Sequence, residues 1–160
     1  MELNAKLKRL GLAHAEGQHF WIELEREYRP GLSGLAGFGW VSVVWWASLA
    51  RPWRAEMAVM DGPYKKGPER LGVFATRSPE RPNPICVSPA ALLGLDEAEG
   101  ILELAWLDCA DGTPVLDLKP YQPSADRVEE PGLPPWCESW PRSIEASADF
   151  DWSKVFAFDY

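Results

Sequence analysis

The stretch "WVSVVWWASLA", Trp40–Ala50, decides the fold. It is β-branched and aromatic and carries no charge, which predicts a strand buried on most of its surface. Upstream, "HFWIELEREY" (His19–Tyr28) sets Phe20, Ile22 and Leu24 against Trp21, Glu23 and Glu25, the alternation of a strand with one wet face. Between the two, "RPGLSGLAGFG" is rich in turn formers, with Leu32, Leu35 and Phe38 able to pin one short helical turn to the core. Downstream come a turn at Asp61, Gly62 and Pro63, a basic loop, and strands expected at Arg70–Arg77, Ile85–Leu95, Ile101–Cys109 and Thr113–Tyr121. "DGTP" at Asp111–Pro114 reads as a hairpin connection, and Met1–Arg9 as a short helical or frayed start.

Six or so short strands separated by turns predict an all-β chain, preferably a small closed antiparallel β-barrel rather than a sandwich. Fifteen Pro and thirteen Gly in 160 residues speak against a helix bundle, and nine Trp against a disordered polymer. The expected organisation is an N-terminal extension over 1–18, the barrel over 19–123, and an aromatic-rich C-terminal extension over 124–160 that packs on the barrel or on a dimer mate. So many rings, from Trp136 to Tyr160, need cover. That role is favoured over stacking on RNA bases, which calls for basic neighbours.

Three cysteines, Cys86, Cys109 and Cys137, form neither a disulfide framework nor a zinc pattern, so no metal is expected and a reducing cytoplasm fits. No apolar run is long enough to span a membrane, and Met1–Leu12 does not read as a signal peptide. The net charge of −8 argues against non-specific DNA binding. Its distribution is uneven: Pro63–Pro82 carries +3 (five Lys and Arg against two Glu), leaving −11 elsewhere. A basic stripe on an acidic body can still steer a polyanion to one face.

That stripe leads into "TRSPERPNP", where each proline fixes its own φ and holds Ser78, Arg81 and Asn83 extended. A pre-ordered loop presenting Arg77, Arg81, Ser78 and Asn83 suits a carboxylate, a phosphate or a polar heterocycle. An irregular surface connection reads equally well. In "DGTPVLDLKPY", Asp117 and Lys119 share one strand face, a pairing more simply read as a solvated ladder, with Tyr121 following.

These segments carry a resemblance. "GVFATRSPERPNPICVS" followed by "DCADGTPVLDLKPYQP" resembles the TsaA-like, or YaeB-like, family, and "GLSGLAGFGWVSVVWW" resembles that family's approach to its central strand; the likeness runs from Trp21 to Pro123. Its best understood members are tRNA methyltransferases that use S-adenosyl-L-methionine to methylate N6 of threonylcarbamoyl-modified adenosine. The resemblance implies a dimeric antiparallel barrel, and cofactor contacts at Arg77, Val87, Ala105, Trp106, Leu107 and Asp108, with Ser48 and Leu49 at the end of the central strand. Arg81, Asn83, Lys119 and Tyr121 are the expected substrate contacts, and no catalytic residue is assigned. The chain departs from the family at Gly39-Trp40, where Ser-His is usual, at Ser48, where His is common, and at Cys86, where Gly is usual. The alternative reading is a barrel that binds adenosylmethionine or a nucleoside without transferring a methyl group; an oligomerisation domain is a third.

Overall fold

The computed structural model describes residues 6–158. Strands β1 (Gly11–Glu16), β2 (His19–Leu24), β3 (Trp40–Trp46), β6 (Ile85–Asp96), β7 (Ile101–Leu104) and β8 (Thr113–Pro120) close into one barrel, in the order β1-β2-β7-β6-β3-β8. Every barrel pairing is antiparallel. The two remaining strands, β4 (Val59–Asp61) and β5 (Arg70–Gly72), form a separate two-stranded sheet. The chain divides into two compact units, one ending at Ala50 and resuming over Asn83–Arg127, the other comprising Arg51–Pro82 and the chain from Val128.

The barrel is the expected all-β closed sheet, and the central run behaves as its composition dictates. Val41, Val43 and Trp45 point into the core with Ile22, Leu24, Leu102, Leu104 and Val115. Trp45 keeps its one polar atom satisfied by donating from Nε1 to Ser88 Oγ, 3.0 Å away. A small barrel needs sharp bends, and two register shifts supply them, between Val44 and Trp45 and between Leu92 and Gly94. Leu93 bulges out at the second and is exposed.

Four sequence expectations are corrected. The segment read as an N-terminal extension contains barrel strand β1; residues 1–5 of the expected helical start lie outside the described residues, and 6–9 adopt no regular structure. "GLAHAE" carries little β-propensity, but Gly11 lets the backbones of β1 and β2 close together: a Cβ there would meet Glu23 O at 2.1 Å. "DGTP" is no hairpin, because β7 and β8 are not neighbours in the barrel. Gly112 does take the left-handed φ of +74° that Asp-Gly signals. The run expected to be a strand to Arg77 stops at Gly72 and becomes a 3-10 turn over Val73–Ala75. The run expected to extend to Cys109 stops at Leu104.

The second unit is built differently. Beside the short β4–β5 sheet, its rings gather: Tyr64 stacks on Trp136 with centroids 5.1 Å apart, and Trp140 meets both edge-on at 5.1 and 5.4 Å. The 3-10 turn at Trp152–Lys154 brings Trp152 against Trp140, with Phe150 and Phe156 alongside. Backbone bonds from Lys65 N–H to Val155 O (2.8 Å) and from Ala157 N–H to Pro63 O (3.1 Å) tie the last segment to the Tyr64 loop.

Candidate functional site

Antiparallel pairing decides which loops meet. Trp46 at the end of β3 lies opposite Ile85 at the start of β6, Glu16 at the end of β1 opposite His19 at the start of β2, and Leu104 at the end of β7 opposite Phe20. The β3 exit, the approach to β6 and the β7–β8 connection therefore share one end of the barrel. Ala47 N–H donates to Pro84 O at 2.8 Å, fastening the β3 exit to the approach to β6.

Because β7 and β8 are not adjacent, residues 105–112 have to cross this end. Ala105 N–H donates to Ala91 O (3.0 Å), Leu107 inserts its side chain into the core, and Asp111 Oδ1 accepts from Ala15 N–H at 3.3 Å. His14 Nδ1 lies 2.9 Å from the same carboxylate oxygen. His14 and His19 both stack on Trp21, with centroids 4.9 and 4.5 Å away. The hydrogen bond from His14, and secondarily that from Ala15, holds the Asp111 carboxyl below the usual carboxylate range.

Of the cofactor contacts implied by the resemblance, Ser48, Leu49, Val87 and Ala105–Asp108 all belong to this barrel end or the strand leading from it. Leu49 is 82% exposed, Trp106 56% and Val87 44%, so three apolar surfaces stand open among the exposed Ser48 and Asp108. Leu107 is only 2% exposed, so its side chain plugs the barrel and anchors the crossing segment. Cys109, the one thiol in that segment, is pushed up to about 11, mainly by burial and further by Asp108 and Asp111, so it stays protonated and is no nucleophile.

Tyr121 and Lys119 fall elsewhere. Tyr121 leaves β8 at the opposite barrel end, where its N–H donates to Trp40 O at 3.0 Å. Lys119 pairs with Asp117 at 2.6 Å on the strand's exposed side, the solvated ladder that the alternation suggested. Asn83 lies in the approach to β6, its carbonyl accepting from Ile85 N–H at 2.7 Å.

Arg77 and Arg81 belong to the second unit. There the "TRSPER" loop is pre-ordered, by hydrogen bonds as well as by its prolines. Thr76 Oγ1 donates to Val73 O (2.8 Å) and accepts from Ser78 N–H (3.2 Å), and Ser78 Oγ accepts from Glu80 N–H (3.3 Å). Arg81 is not a projecting group. Its Nη1 donates to Thr76 O (3.0 Å) and Ser78 O (3.1 Å), and its guanidinium lies over the Phe74 ring at 5.7 Å. Glu80 is clamped in turn by both guanidinium arms of Arg51, which hold its carboxyl below the usual range.

A family model for the tRNA-methyltransferase O N-terminal domain matches residues 12–127, most of the chain. The chain belongs to that family. A probable S-adenosyl-L-methionine-binding protein of Halobacterium salinarum is 46% identical over 99 residues, which cover 62% of this chain and 73% of that protein. The tRNA (adenine(37)-N6)-methyltransferase of Escherichia coli is 40% identical over 101 residues, 61% of this chain and 42% of that one. The crystal structure of TrmO from Pseudomonas aeruginosa superposes with a TM-score of 0.64 at 29% identity, covering 81% of this chain and 61% of that one. This member of the family thus spans less than half of the Escherichia coli methyltransferase. Among the described residues no helix is long and apolar enough to cross a membrane, and no cluster of side chains suits a metal ion.

Proposed function

We propose that the chain binds S-adenosyl-L-methionine at the barrel end crossed by residues 105–112 and transfers its methyl group to N6 of threonylcarbamoyl-modified adenosine in tRNA, acting as a cytoplasmic homodimer. The observation that carries this reading is the meeting of the β3 exit, the start of β6 and the Leu107-anchored crossing at one end, with Leu49, Val87 and Trp106 left open to solvent. The residues fit such a ligand. Apolar surfaces suit an adenine, and the exposed Asp108 carboxylate suits an ammonium or ribose hydroxyls. The exposed apolar side chains also suit a face that a second copy completes. Arg77, on its hydrogen-bonded loop, is assigned a carboxylate of cofactor or substrate. Arg81 orders that loop, and Asn83, Lys119 and Tyr121 remain candidates for contacts with the substrate.

When bound, the cofactor supplies an electrophilic methyl group. The protein's task is chiefly positioning, since a correctly held amine needs only to lose one proton. Cys109 takes no part in that, because its thiol is held protonated.

The family match and the names of the relatives, a tRNA methyltransferase and an adenosylmethionine-binding protein, support the same reading. The test joins two measurements. Calorimetry with adenosylmethionine should lose about tenfold in affinity on Asp108→Ala or Arg77→Ala. Radiolabelled methyl should then enter tRNA bearing the modified adenosine. Binding without label would leave a cofactor-binding protein; no binding at all would end the proposal.

A further inference from the structure

The second unit contains a cavity of about 190 Å³ walled by Tyr64, Trp136, Trp140 and Phe150, with Lys66 and Lys154 on its lining. Each of the four rings is half-buried, so each is fixed by its neighbours yet keeps some surface open. Burial raises the Tyr64 hydroxyl above its usual range, which keeps that ring neutral. Six of its eight lining residues lie beyond 127, outside the stretch matched by the family model.

Two classes of ligand fit a box of aromatic rings. One is a quaternary or methylated ammonium, held over the ring faces by its charge. The two lysines exclude it, since they would set like charges against it. The other is a planar ring carrying an anion, for which the rings supply stacking and the ammonium groups supply charge. Lys154 is partly neutralised by Asp151 at 2.9 Å, but Lys66 is exposed with no carboxylate within ion-pair distance among the described residues. Lys65, next in sequence, is occupied: its Nζ donates to Ser153 O at 2.8 Å and braces the wall. A basic neighbour is what the sequence reading found missing for stacking on a base, and folding brings Lys66 from the middle of the chain to provide it.

We infer that this cavity takes one nucleotide of a single-stranded RNA, the base stacked among Trp136, Trp140 and Tyr64 and the phosphate met by Lys66 and Lys154. The stacking and charge stand on the cavity alone; the choice of an RNA strand over a free nucleotide rests on the tRNA substrate proposed above. The site is a second hold on the RNA, separate from the residues assigned to the cofactor.

The experiment uses the full chain and fluorescence anisotropy of a fluorescein-labelled oligoadenylate. Lys66→Glu/Lys154→Glu, and each of its single reversals, are compared with Arg26→Glu, a single reversal at an exposed position just after β2. The double variant should weaken binding about tenfold and lower the salt slope by roughly two, while Arg26→Glu leaves both nearly unchanged. Trp140→Leu, checked for folding by circular dichroism, should weaken binding about fivefold or more, and an abasic strand of equal length should bind weakly to every form. The inference is overturned if the abasic strand binds as well as oligoadenylate, if the lysine pair has no more effect than Arg26, if adenosine monophosphate competes as well as the strand, or if an acidic Trp-bearing peptide competes better. Adenosylmethionine affinity should be the same in all variants. A wild-type chain that binds adenosylmethionine but no oligoadenylate therefore strikes the cavity, whereas an inert cofactor site with RNA binding intact strikes the methyl-transfer reading.

Discussion

The barrel and the second unit solve the same problem with different materials. In the barrel the backbone does most of the organising: six strands pair edge to edge without an open side, and aliphatic side chains such as Ile22, Val43 and Leu102 fill the interior completely. In the second unit the sheet is only two strands of three residues each, and order comes from side chains: rings packed around Tyr64 and Trp152, an Arg51–Glu80 clamp, and hydroxyls that close the turns of the "TRSPER" loop. A closed ladder tolerates surface change and punishes any loss of interior volume. A unit held by rings and polar clamps has its energy in a few half-exposed contacts, a suitable basis for loops that bind ligands.

The sharpest way to break that contrast is to empty the barrel. Ile22 is fully buried, and Ile22→Ala removes three carbons from a site with no room to collapse, so it should cost about 4 kcal/mol in a denaturant melt. Gly11→Ala attacks the ladder instead of the core. With the new Cβ directed at Glu23 O, β1 and β2 have to separate, at a cost of about 3 kcal/mol. An Ile22→Ala protein as stable as the wild type would mean that the barrel is not the rigid element assumed here.

These two sites also mark how far the sequence could be read. Ile22 was legible, because strict alternation along β2 leaves one interpretation of its face. Gly11 was not. Its role is a close approach between backbones, and only the pairing partner reveals it. The same difference divides "ELAWLDC": alternation continues past Leu104, yet the chain leaves the sheet because β8 lies elsewhere in the barrel, and Leu107 becomes a plug while Trp106 is exposed. At the candidate site, local resemblance pointed to the β3 exit and the crossing segment, which the barrel brings to one end. It could not separate the two ends of β8, a strand of eight residues and about 26 Å, so Tyr121 was grouped with residues at the opposite end. In the tail, composition required the rings to be covered but did not say that Tyr64 and Lys66, far away in sequence, would join them.

Smaller effects belong to the second unit. Trp140 contacts Tyr64, Trp136 and Trp152, and Trp140→Ala should cost about 2 kcal/mol, less than a fully buried ring because Trp140 is half-exposed. Hydrogen exchange should quicken at Lys65 and Ala157, the amides that bond across the two segments of this unit. Unchanged protection there would show that the backbone bonds, not the rings, hold the unit. Arg81→Lys keeps the charge but loses the planar group that reaches both Thr76 O and Ser78 O, and about 1 kcal/mol of stability should go with it. Arg81→Lys should weaken adenosylmethionine binding less than Arg77→Ala if Arg81 serves the loop and not the ligand.

The smallest effect is a pH dependence, and it tests whether polar clamps matter on the barrel as they do in the second unit. Asp111 is held in its charged form by His14 and by Ala15 N–H, so its carboxyl titrates lower in the folded chain than in the unfolded one. The stabilisation is therefore complete above the unfolded value, near pH 4, and disappears as the pH falls through the lower folded value. Asp111 is exposed, so solvent screens the contact and the change is small. Melting temperatures of wild type and Asp111→Asn, measured from pH 6 down to pH 3, should differ most at the upper end and converge at the lower. Curves that stay parallel throughout would mean that the crossing segment is fastened by Leu107 and the Ala105–Ala91 backbone bond, and that the barrel, unlike its companion, draws nothing from this polar clamp.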